Sequence, residues 1–108
     1  MYSESHLNIL RQIDSNPHVS QRKLASNLGL SLGKVNYCVQ ALVEKGLLKV
    51  GNFSRSNDKG KYLYILTPAG VEEKAKLTAS FLKRKIEEHD KIIKEINILR
   101  RESIFVRK

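Results

Sequence analysis

One cysteine, Cys38, is too few for a disulfide inside the chain, so the fold must stand on its hydrophobic core, as in a reducing interior. No apolar run approaches the roughly 20 residues of a membrane helix. Residues 1–6 lack the basic-then-apolar pattern of a secretory leader, so a cytoplasmic location with no membrane partner is expected. No internal repeat or low-complexity tract appears. Missing too are a nucleophile elbow, paired carboxylates and a glycine loop able to cradle phosphate. His6, His18 and His89 show no ligand spacing with one another or with Cys38. No catalytic residue, metal ligand or cofactor is therefore expected, and the chain does not read as an enzyme. Acidic residues are also few: 11 Asp and Glu stand against 20 Lys and Arg. The resulting net charge of +9 makes a polyanionic partner a natural fit.

A repeated helix start is the strongest local pattern. Ser3, Ser20, Ser31 and Thr67 can each accept an orphan backbone N–H as N-cap. Each follows an apolar or aromatic residue (Tyr2, Val19, Leu30, Leu66). Four helical positions on come Leu7, Leu24, Val35 and Val71, at the spacing of a hydrophobic staple. The spacing predicts helices over about 4–15, 21–28, 32–45 and 68–101. The first buries Leu7, Leu10 and Ile13; the second, Leu24 and Leu28; the third, Val35, Val39 and Leu42. Gly29 and Gly46 end the second and third. Two short capped helices joined by a tight turn form a helix-turn-helix, whose second helix can enter the DNA major groove. Its outward face would carry Ser31, Leu32, Gly33, Lys34, Asn36, Tyr37 and Gln40. Asn36 and Gln40 suit adenine, Lys34 suits guanine or phosphate, and Gly33 permits close backbone approach. Ser20, Gln21 and Arg22 open the preceding helix beside this face. Cys38, next to the buried stripe, reads as a small buried hydrophobe.

After Gly46 the period changes. Residues 47–53 and 61–66 are rich in strand formers and bracket the turn-rich 54–60. This predicts a hairpin whose basic tip, Arg55, Lys59 and Lys61, touches phosphate or the minor groove. Thr67-Pro68 then opens a long helix with proline at its first position. Ala75, Ala79, Leu82, Ile86, His89, Ile93 and Ile96 recur by fours and threes, the seam of a coiled coil. Such a helix is too long to pack on so small a domain, and a second copy of itself is the simplest partner. The expected class is mainly α (α+β): a winged helix-turn-helix over 1–67, a dimerisation helix over 68–102, and a frayed tail over 103–108.

Residues 20–25, 28–37, 42–48 and 64–70 together resemble the winged-helix core of the MarR family of transcriptional regulators. The single long C-terminal helix bearing 77–85 looks most like the short MarR-type regulators associated with exopolysaccharide gene clusters. The resemblance implies a homodimer on a pseudo-palindromic operator in double-stranded DNA, acting on polysaccharide genes. Larger MarR proteins build the dimer, and often a phenolic-ligand pocket, from an extra N-terminal helix and two C-terminal helices. Here those are missing or merged, which leaves any small-molecule effector open. Two other functions fit the same chain: a winged helix that docks a larger machine through its long helix, or an RNA-binding winged helix. The second is disfavoured by the lack of an aromatic stacking platform.

Overall fold

In the computed structural model, residues 2–52 and 62–106 are described. The elements run α1 (Glu4–Ser15), α2 (Gln21–Leu28), α3 (Leu32–Glu44), β1 (Leu48–Asn52), β2 (Tyr62–Leu66) and α4 (Pro68–Val106).

Capping explains the helix boundaries. Ser20 Oγ accepts from the Lys23 N–H at 3.0 Å, and Ser31 Oγ from Lys34 at 3.1 Å. Thr67 Oγ1 accepts from Gly70 at 3.0 Å. Ser3 caps differently: its backbone N–H donates to His6 Nδ1 at 3.0 Å, with its hydroxyl 2.8 Å from the same nitrogen. His6 thus fills the reach-back position of a capping box. Three of the four staple pairs bury their helical member: Leu7, Leu24 and Val35. The fourth does not, because Val71 is 56% exposed. Gly29 (φ 67°) and Gly46 (φ 73°) take the left-handed conformation that turns the chain out of α2 and α3.

Ile9, Leu10 and Ile13 of α1, Leu24 of α2 and Val35, Cys38, Val39 and Leu42 of α3 form the core, closed by Val19, Leu47, Leu48 and Tyr64. Ile9 lies outside the expected set yet is fully buried. Leu28 is only partly buried. The strands pair antiparallel, Leu48 opposite Leu66 and Val50 opposite Tyr64. The hairpin tip, with Arg55, Lys59 and Lys61, lies outside the described residues.

The chain divides into two compact units, Met1–Thr78 and Ala79–Lys108, and α4 runs through the boundary. The first unit therefore reaches beyond the expected end at residue 67. Four contacts draw the start of α4 into it. Thr67 donates its N–H to Leu47 O (3.1 Å) and its hydroxyl to Gly46 O. Leu77 packs against the core, and Lys74 pairs with Asp14 at 2.6 Å. Residues 103–106, expected in the tail, are part of α4, and 107–108 lie outside the described residues. α4 continues through Val106, with the Ser103 hydroxyl turned back onto the Arg100 carbonyl at 2.9 Å. No proline or glycine interrupts 103–106.

Candidate nucleic-acid interface

α3 is amphipathic in a way that divides labour. Val35, Cys38, Val39 and Leu42 are buried, whereas Ser31, Leu32, Gly33, Lys34, Asn36, Tyr37 and Gln40 are all exposed. Tyr37 is 67% exposed, so it is not an anchor between helices. Gly33 is informative because nothing lies within 4 Å of where its Cβ would be. No packing inside this chain requires a glycine there.

Several of these residues meet across a groove of about 740 Å³ between α3, the start of α2 and the base of the hairpin. Ser20, Gln21 and Arg22 line one side, and Leu32, Asn36 and Gln40 another. Val50 and Tyr64 of the two strands complete it, and neither was expected in the site. Gln21 ties the walls together. Its Nε2 donates to Tyr64 Oη at 3.1 Å, and its Oε1 accepts from Asn36 Nδ2 at 3.2 Å. Asn36 is therefore held by Gln21 and is not a free surface amide. No sequence signal announces the Tyr64 link, since Gln21 and Tyr64 are 43 residues apart. Ser31, Gly33, Lys34 and Tyr37 stand outside the groove lining, on the exposed remainder of α3.

Cys38 is fully buried, and burial pushes its thiol pKa up, against a smaller downward pull from Lys34. That is the environment of an inert packing thiol. Burial lowers the pKa of His6, and the nearby positive charge of Lys34 adds to the shift. Among the described residues no three His, Cys, Asp or Glu side chains come together as metal ligands. Nor is any helix among them long and apolar enough to cross a membrane.

In the second unit, the expected seam residues Ala79, Leu82, Ile86, His89, Ile93 and Ile96 are exposed in the single chain, as is Ala75 in the first. Ile92 and Leu99 are exposed too and were not in the expected seam. At about 100° per residue they widen the apolar stripe from about 100° to about 160°. That is broader than a two-stranded coiled-coil seam and resembles the face of a helix in a bundle. Two residues of the basic run 83–85 are engaged within the helix. The Arg84 guanidinium lies over the Phe81 ring, 4.8 Å from its centroid, and Lys85 is 3.5 Å from Glu88.

Three helices followed by a two-stranded hairpin, with α3 presented outward, define a winged helix-turn-helix. Residues 2–49 match the family model described as winged helix-turn-helix DNA-binding. Solved structures with the same architecture include the PcaV transcriptional regulator of Streptomyces coelicolor in complex with its natural ligand. It is 22% identical, with a TM-score of 0.65, over 76% of this chain and 57% of that one. The MarR protein of Peptoclostridium difficile is 21% identical, with a TM-score of 0.62, over 79% and 54%. The transcriptional repressor CouR, solved on a 23-mer DNA duplex, is 22% identical, with a TM-score of 0.60, over 73% and 54%. The fold is thus a winged helix-turn-helix, the architecture these solved regulators share. The matched part spans little more than half the length of these solved chains. No curated protein sequence matches the chain.

Proposed function

We propose that this chain is a sequence-specific DNA-binding transcriptional regulator that acts as a homodimer on a pseudo-palindromic operator. The observation that carries this is the exposed face of α3. Seven residues suited to bases and phosphate are all solvent-facing on a helix whose opposite side is core. The net charge of +9 and the DNA duplex bound to CouR support the same reading. In this arrangement Tyr37, Asn36 and Gln40 read base edges. Lys34, Arg22 and the α2 N-terminus at Ser20 and Gln21 position the helix on phosphate. Arg55, Lys59 and Lys61 would add backbone contacts from the hairpin tip.

A dimer follows from reach: one α3 covers only a few base pairs, whereas two related by a two-fold axis read half-sites about 34 Å apart. The apolar stripe of α4 supplies the means of pairing. A role at polysaccharide genes, in the cytoplasm, rests on the subfamily resemblance.

Footprinting on DNA flanking the chain's own gene tests the function. A protected pseudo-palindrome whose affinity falls steeply with salt is expected. Binding to that DNA no tighter than to random duplex would reject sequence reading and favour a protein-docking winged helix.

A further inference from the structure

On the DNA-binding function proposed above rests a second assignment: we propose that Tyr64, a wing-strand residue, sets base specificity through Gln21 by fixing the orientation of Asn36. Tyr64 is 3% exposed and its backbone N–H is held by Pro17 O at 3.0 Å, so its hydroxyl is a stationary point. Gln21 is the first residue of α2 and spans the gap to α3 with both ends of its amide. The Tyr64 hydroxyl accepts the Gln21 N–H. That turns the Gln21 carbonyl toward α3, where it accepts one N–H of Asn36.

An asparagine amide has two N–H donors and one carbonyl acceptor. With one N–H spent on Gln21, the other N–H and Oδ1 remain, which is the donor–acceptor pair that adenine N7 and N6 require. An unheld amide can turn through 180° and exchange its donor and acceptor ends. Held by Gln21, it presents one order only. The two hydrogen bonds reach from strand to helix to helix, so Tyr64 influences base choice without touching a base. Tyr64 is in this sense a positioning residue.

Selection of the unmodified protein on a random 20-base-pair duplex library, followed by sequencing, gives its base preferences column by column. Asn36→Ala identifies the column that Asn36 reads. Tyr64→Phe is expected to reduce discrimination in that same column by about 5- to 10-fold, leaving the other columns and the affinity for random duplex unchanged. Gln21→Met should reduce discrimination in the same column, because it removes both hydrogen bonds, while any phosphate contact it loses lowers the affinity for all sequences alike. Gln21→Glu retains acceptors for Asn36 and for the Tyr64 hydroxyl. It should keep the column preference while weakening binding to all sequences through its charge.

Failure of the unmodified protein to select any sequence overturns the DNA-reading function itself. Successful selection, with the Asn36 column unmoved by Tyr64→Phe and Gln21→Met, overturns the relay alone. So does an Asn36→Ala profile identical to that of the unmodified protein. Should Tyr64→Phe fail to fold by circular dichroism, Gln21→Met, on the rim of the groove, decides the matter.

Discussion

At Gly33, stability and function pull in opposite directions. The position is helical, exposed and open, so Gly33→Ala should stabilise α3 by about 0.5–1 kcal/mol. If the missing Cβ serves approach to DNA, the same change should weaken operator binding. A raised melting temperature with lowered affinity is the expected pair, measured by thermal melts and by titration with the footprinted duplex. Full affinity would remove Gly33 from the interface. His6 makes a pH prediction. Burial, aided by the Lys34 charge, lowers its folded pKa below the ordinary 6.5. The unfolded chain then binds more protons between the two values, so stability is complete above about pH 6.5 and falls as pH drops below it. Protonation also costs the acceptor that Nδ1 offers to Ser3. Urea midpoints from pH 8 to 5 should show this slope. His6→Gln, which can still accept from Ser3 as a capping-box partner, should flatten it.

Among the elements, α3, β1 and α4 meet in a closely packed junction. Thr67 caps α4 while donating to the carbonyls of both Gly46 and Leu47. A Cβ on Gly70 would fall on the Leu47 carbonyl oxygen, with the carbonyl carbon 3.0 Å away. Backbone cannot swing aside as a long side chain can. Gly70→Ala is therefore expected to destabilise the protein by about 1–3 kcal/mol, read as a lowered urea midpoint. An unchanged midpoint would show that α4 can shift freely against the end of α3. The two helical glycines are thus opposites: Gly70 is glycine because the fold needs it, and Gly33 is not. Both look alike in the sequence. The caps at Ser20, Ser31 and Thr67 were legible there because each bond spans three residues of chain. Val71 shows the limit of that reasoning: it has the staple spacing but no buried surface to meet.

For the molecule as a whole, the unfinished surface is the stripe on α4. Leu82, Ile86, Ile92, Ile93, Ile96 and Leu99 are each at least a third exposed. Fully burying such a side chain is worth about 1.5–3 kcal/mol, so several together can drive association. None of them belongs to the core cluster. Ile86→Asp with Ile93→Asp should therefore yield a folded monomer that has lost operator binding, checked by sedimentation and DNA titration. An unmodified protein that sediments as a monomer at micromolar concentration, with full operator affinity, would overturn the dimer and the palindrome together. The hairpin tip has a separate signature. Neutralising Arg55, Lys59 and Lys61 should weaken binding to every sequence and flatten the salt dependence by about 0.9 per lost phosphate contact, doubled in a symmetric dimer. An unchanged slope would mean that the tip makes no phosphate contact.

What the sequence determined by itself is local or periodic. Helix caps, glycine stops, the alternation that makes strands and the 3.6-residue stripe of α3 depend on residues within about five positions of each other, so they show in a linear reading. Tertiary structure alone decided the rest. It joined Tyr64 to Gln21 across 43 residues and Asp14 to Lys74 across 60. It set Gly70 against the Leu47 backbone and drew the first turns of α4 into the winged-helix unit. It also buried Ile9 on a helix where the seven, ten, thirteen spacing had seemed sufficient. The physical reason is the same each time. A capping bond closes within one turn of helix, whereas these contacts exist only once the core has brought distant segments to within a few ångströms.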